Sequence, residues 1–171
     1  KGWCTEVAQE VTSLGVQVHG GMGFIEETGA AQHFRDARIL PIYEGTNGIQ
    51  ALDLMGRKVV ANKGEYVKLF EADIREFMAQ NADNTAVQPY LEKLGAALET
   101  LVQVTDNVRA RAQSNPEEIG AASVDYLNLF GLVTYAYMWT RMAAVAAPKA
   151  ADDTSGFYDS KVKVANFFFA R

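Results

Sequence analysis

Ile42-Tyr43-Glu44-Gly45-Thr46-Asn47-Gly48-Ile49-Gln50 sets one carboxylate between a proline-punctuated extended run and the start of a new helix. Pro41 fixes its own φ and pushes Leu40 toward extended geometry, so no helix is expected to run through this point. Gly45 has no Cβ and lets another group pack closely beside Glu44. Thr46 or Asn47 suits the N-cap of a helix reaching Val60, with Ile49, Leu52, Leu54 and Met55 on its apolar side. A carboxylate held against an apolar pocket resists ionisation and suits proton abstraction from carbon. An isolated Glu-Gly reads more simply as a surface turn, so the surrounding sequence has to decide.

Outward in both directions the pattern is helical. Val7, Val11, Leu14 and Val18 form a stripe over residues 5–19, which Gly20-Gly21 ends. Thr28 is placed to cap a short helix reaching about Ala37, and Ala61-Asn62-Lys63-Gly64 reads as a linker. Beyond it, Tyr66, Phe70, Ile74 and Phe77 mark an amphipathic helix that stops near Gln80-Asn81, before a loop over 81–85. Leu91, Leu94, Leu98, Leu101, Thr105 and Val108 then recur at the three-and-four spacing of a bundle helix. Asn115-Pro116 breaks the chain, and Glu117-Glu118 suit the positive end of the next helix. Ile119, Ala122, Tyr126, Phe130, Val133, Tyr137 and Met138 line that helix, the longest, which ends at Pro148. After a loop over 152–156, a last helix begins at Tyr158 and reaches Arg171. Period-two alternation is missing, so the spacing predicts an all-α fold with a boundary between segments 1–61 and 65–171.

Composition narrows the function classes. The chain has 171 residues, 49% of them hydrophobic, enough for one core or two small ones. Its net charge of −5 comes without a basic stripe, which makes nucleic acid a poor partner. The apolar stretch 162–169 is short and carries Lys163 and Asn166, so no membrane span is expected. The single cysteine, Cys4, allows no internal disulfide and suits a reducing compartment. His19 adjoins the glycine turn, as a helix-terminal residue or a cofactor contact. His33 has no partner at ligand spacing, so no metal site is expected. Arg35, Asp36 and Arg38 read as a charge cluster that positions the Glu44 loop, and Tyr135, Tyr137 and Trp139 read as core or subunit contacts.

Tyr43-Glu44-Gly45-Thr46 with Ile49-Gln50 resembles the catalytic-base segment of the acyl-CoA dehydrogenases. Gln17-Val18-His19-Gly20-Gly21-Met22-Gly23-Phe24, followed by Arg35-Asp36-Ala37-Arg38, resembles that family's second signature, in the family's order and separation. The resemblance covers the first third of the chain closely and the rest as a helical extension. It implies the end of a catalytic helical bundle over 1–61, followed by an additional C-terminal helical domain over 65–171. The glutamate at position 44 is then the base that takes the Cα proton of an acyl-CoA while a hydride leaves Cβ for FAD, and Gly45 lies against the substrate. Gln17, Gly20 and Gly21 match the segment that touches the adenine–pyrophosphate half of FAD, usually from a neighbouring subunit. Thr46, Asn47 and Gly48 match the second FAD segment.

Gln32 stands where the family usually has Lys or Arg, and Gly48 where it commonly has Gln or Glu. With Glu27-Thr28-Gly29-Ala30-Ala31 these departures are similar to the larger branch of the family. The resemblance further implies an electron-transfer flavoprotein as electron acceptor, a homo-oligomer, and a bacterial cytoplasm or mitochondrial matrix. Two alternatives remain open: an acyl-CoA oxidase, or a non-catalytic helical oligomerisation module. Both chain ends fall inside helical patterns, so a piece of a longer protein is expected, inactive by itself and not retaining FAD.

Overall fold

The computed structural model describes residues 1–170, and among them helices joined by turns account for the whole architecture, with no strand. In chain order the α-helices are α1 (Gly2–Val18), α2 (Gly21–Phe24), α3 (Ala30–Arg38), α4 (Asn47–Leu52), α5 (Glu65–Gln80), α6 (Gln88–Ala112), α7 (Glu117–Ala146) and α8 (Phe157–Ala170). α4 runs without a break into a π-helix over Asp53–Val60. Its wider ladder shows in the bond from Ala61 N to Gly56 O at 2.9 Å. Arg171, the expected end of the last helix, lies outside the described residues.

α7 is the central element and packs against α6, α8, α4, the π-helix and the start of α1. The main core gathers Met55, Val59, Ile74, Leu94, Leu98, Leu101, Tyr126 and Val133, each essentially inaccessible. Every member of the Leu91-to-Val108 series on α6 is buried, as its spacing predicts. Each such leucine contributes about 1.5–3 kcal/mol relative to exposure. Two of the buried hydroxyls, on Thr105 and Tyr126, bond to each other. Thr105 Oγ1 donates its one proton to Leu101 O at 2.7 Å, so the Tyr126 hydroxyl, 2.7 Å away, is the donor to Thr105. Burial raises the Tyr126 pKa above the ordinary tyrosine range, Asp106 adds to the rise, and the Thr105 bond opposes it.

Several expectations are corrected. On α1 the stripe residues Val11, Leu14 and Val18 are 58%, 55% and 84% exposed. α1 packs against α3, on which Ala31 and Ala37 are buried. The stripe is apolar, but among the described residues nothing covers Val11, Leu14 and Val18, while Val7 is partly buried. Ile49 and Leu52 are exposed in the same way, whereas Ala51, Met55 and Val59 face inward. Met138 lies on the exposed side of α7, opposite buried Val133 and Tyr137. Thr28 does not cap α3: its hydroxyl donates to Met22 O at 2.6 Å and closes the preceding turn, and Gly29, at φ 77°, starts the helix. Residues 39–42 are a hydrogen-bonded turn rather than an extended run, with Ile42 N donating to Ile39 O at 3.0 Å. No helix among the described residues is long and apolar enough to cross a membrane.

Candidate functional site

The Glu44 loop is clamped at its base. Asn47 N donates to the carbonyl of buried Pro41 at 3.2 Å, which closes the segment 41–47 into a narrow loop. Thr46 is the N-cap of α4 and accepts from Ile49 N at 3.4 Å, so of the two expected caps the threonine takes the role. Glu44 stands at the tip with φ 56°, one of few non-glycine residues on the left-handed side, and Gly45 follows at φ 79°. Holding a side-chain-bearing residue there costs of order 1–3 kcal/mol and persists only where the surroundings over-determine it.

Those surroundings are specific. Gln50 Nε2 donates to Glu44 O at 2.9 Å, and Lys1 Nζ donates to Gly45 O at 2.8 Å. Asn47 ties the loop to α1: its Nδ2 donates to Glu6 Oε1 at 2.7 Å and Thr5 Oγ1 at 2.9 Å, and its Oδ1 accepts from Lys1 Nζ at 2.9 Å. These partners lie more than forty residues away in sequence and left no local signal. The Glu44 carboxylate itself has no hydrogen-bond or ion-pair partner among the described residues. Ile42 and Tyr43 precede it in the loop and Ile49 lies beside Gly45, all about half exposed. Glu44 is exposed, so the described residues do not enclose it.

The second expected cluster sits at the far end of α1. Gly20, at φ 59°, donates from N to Gln17 O at 3.0 Å and turns the chain into α2. A Cβ built on Gly20, Gly21 or Gly48 would meet nothing within 4 Å, so each leaves open room for a bulky group. Gly23 is different, since a Cβ there would stand 2.2 Å from Val16 O, where α2 presses on the α1 backbone. A groove of about 280 Å³ beside this corner is lined by Val11, Thr12, His19 and His33. Gln17 lies twelve residues along α1 from Thr5, about 18 Å at helical rise. The structure therefore joins Glu44 through Asn47 and places Gln17, Gly20 and Gly21 well apart from them.

The charge cluster does not reach the loop. Arg35 pairs with Glu26 at 2.8 Å, both exposed, while Asp36 and Arg38 make no ion pair among the described residues. No group of three His, Cys, Asp or Glu among those residues is placed to hold a metal ion.

The comparisons with known proteins agree with this architecture. Residues 1–59 match the family model "Acyl-CoA dehydrogenase, C-terminal domain", and residues 70–171 match "Acetyl-CoA dehydrogenase C-terminal like". The chain is 43% identical to a 3-methylmercaptopropionyl-CoA dehydrogenase of Ruegeria pomeroyi, over 98% of this chain and 29% of that protein. It is 34% identical to a broad-specificity linear acyl-CoA dehydrogenase of Mycobacterium tuberculosis, over 98% of this chain and 29% of that protein. A mitochondrial short-chain specific acyl-CoA dehydrogenase of Sus scrofa is 48% identical over 30% of this chain and 13% of its own length. The chain thus spans less than a third of the first two relatives. A helical chain that two C-terminal family models cover almost end to end, with these relatives, belongs to the acyl-CoA dehydrogenase family.

Proposed function

We propose that the protein carrying this chain dehydrogenates an acyl-CoA to the trans-2-enoyl-CoA with Glu44 as the base. The observation that carries the reading is the Glu44 carboxylate, without a partner among the described residues, at the tip of a clamped loop on left-handed backbone. Glu44 takes the Cα proton of the bound thioester. Charge then develops toward the thioester oxygen, and the backbone N–H of Glu44, which makes no bond among the described residues, is a donor for it. Gly45 adjoins the substrate. FAD, when bound, supplies the acceptor for the Cβ hydride.

Gln17, Gly20, Gly21, Thr46, Asn47 and Gly48 are the residues that would hold FAD, and the open space at the three glycines suits that task. Asn47 spends its side chain on α1, so its part is to fix the loop. The rise of about 18 Å along α1 from Thr5, which holds Asn47, to Gln17 supports an arrangement in which the Gln17 corner serves FAD bound by a neighbouring subunit. The reading takes the protein as a homo-oligomer with two units over 1–61 and 65–171 and an electron-transfer flavoprotein as acceptor, in a bacterial cytoplasm or a mitochondrial matrix. The relatives' names favour a dehydrogenase over an oxidase and a linear or methylmercapto-substituted acyl group.

The exposed Val18, Met22, Phe24 and Ile49 favour a second reading for the chain by itself, a helical association module without activity. Glu44→Gln in the full-length protein decides on the base. Flavin should be retained and its bleaching by acyl-CoA should slow about 10²–10⁴-fold. Bleaching at near-parental rate would refute the assignment, and stoichiometric peroxide would favour an oxidase.

A further inference from the structure

We propose that Gln50 is a positioning residue for this base: its amide ties the Glu44 carbonyl and holds the Glu44–Gly45 pair in its left-handed turn. The inference rests on the reading of Glu44 as the base. Gln50 occupies the first turn of α4, where its own N donates to Thr46 O at 3.0 Å. Side chains on a helix lean toward its N-terminus, so a long residue at this position is aimed back over the preceding loop. The amide thereby reaches six residues back to Glu44 O, at 2.9 Å.

Two observations make the contact more than incidental. Glu44 has φ 56°, a conformation that its Cβ disfavours. Released from that well, the residue rotates about N–Cα and carries the carboxylate away from where the loop aims it. A general base must stay within hydrogen-bond reach of its proton, and a misplacement of about 1 Å is already felt in rate. The second observation is Gly45. A Cβ built there would stand 2.9 Å from Gln50 Nε2 and 3.6 Å from Ile49 Cγ2. The space left by the missing side chain is the space that the Gln50 amide occupies, which gives Gly45 a task inside the chain. Thus Glu44, Gly45 and Gln50 form one device in which a glycine makes room for the tie on the base.

The test uses the full-length protein with FAD and compares Gln50→Met with Gln50→Ala. Methionine keeps the length and most of the volume of glutamine but cannot donate to a carbonyl, so it separates the tie from packing. Both variants should keep parental flavin content and acyl-CoA affinity. Both should reduce flavin roughly three- to tenfold more slowly at saturating substrate, the scale of one lost hydrogen bond. A parental reduction rate in Gln50→Met overturns the inference, and so does loss of flavin from both variants, which would make Gln50 a residue of the general fold. Glu44→Gln run alongside distinguishes the two readings. If it is inactive while Gln50→Met is parental, the positioning role alone fails; if it reduces flavin normally, both fail.

Discussion

Trp3 lies against the bare backbone of Gly131: a Cβ built on that glycine would stand 2.5 Å from both Cγ and Cδ2 of the indole. The contact seats α1 on α7, and Tyr135 meets the same indole edge-on at 6.1 Å. A rigid bicyclic ring cannot yield a fraction of an ångström as a flexible chain end would. Gly131→Ala should therefore destabilise the protein by about 1–3 kcal/mol through overpacking. Denaturant titration reads this directly, and an unchanged midpoint would mean that α1 shifts on α7 without resistance.

The glycines of the Gly20-Gly21-Met22-Gly23 corner should separate into two kinds. Gly23→Ala drives a methyl into Val16 O, a backbone atom, and should lower the melting temperature by several degrees. Gly21→Ala points its methyl into open space and should leave stability within about 0.5 kcal/mol. Its effect, if this corner holds cofactor, is weaker flavin retention in the full-length protein. Equal melting temperatures for the two variants would contradict the close approach of α2 to α1.

Tyr126→Phe removes the donor to Thr105 but leaves the Thr105 proton on Leu101 O, so the loss should be about 0.5–1.5 kcal/mol near neutral pH. Its pH dependence has a definite sign. Burial raises the folded-state pKa of Tyr126 above the unfolded value of about 10. The folded chain holds the proton longer than the unfolded one, so this contribution is intact below about pH 10 and is lost as pH rises through the raised value. Burial also raises Tyr90, and Tyr135 is raised first by its bond to Cys4 and then by burial, so the alkaline fall should be shallower in Tyr126→Phe but not abolished. Stability curves from pH 8 to about 11 that superimpose would contradict the role given to Tyr126.

Asn47→Ala unties the Glu44 loop from α1 by deleting the bonds to Glu6, Thr5 and Lys1. The contacts are only partly buried, so the loss of stability should be near 1 kcal/mol. The loop should suffer more than the fold. Hydrogen exchange of the loop amides, Asn47 N among them, should quicken while those of α6 stay protected.

The helices were legible because burial inside the chain repeats at helical spacing. Leu94, Leu98, Leu101, Tyr126 and Val133 follow that rule and form the core. α1 and α4 did not follow it. Val11, Leu14, Val18 and Ile49 are apolar on a face that this chain leaves open, and periodicity reports that a face is apolar without saying what covers it. In the candidate site, the motif gave Glu44 and Gly45, and cap chemistry gave Thr46. The left-handed backbone of Glu44 was hidden, since glutamate carries no preference for it. The partnership of Asn47 with Thr5 and Glu6 was equally hidden, because it depends on how two distant helices cross.

The π-helix sets the phase of α4, which runs into it without a break. A π-turn accommodates one residue more than an α-turn, and each residue of an α-helix turns the chain by about 100°. Ile49 and Leu52, before Asp53–Val60, look outward beside the Glu44 loop, while Met55 and Val59 within it are sunk against the core. The same ladder seats Lys58 on Asp53, five residues back, at 3.0 Å, and that bond is the largest cause holding the Asp53 pKa below the ordinary carboxylate range. The segment works as an angular spacer. With its far end keyed into α7, its winding decides in which direction the loop ahead of it looks, so the aim of the carboxylate is written partly in the pitch of a helix that never touches it.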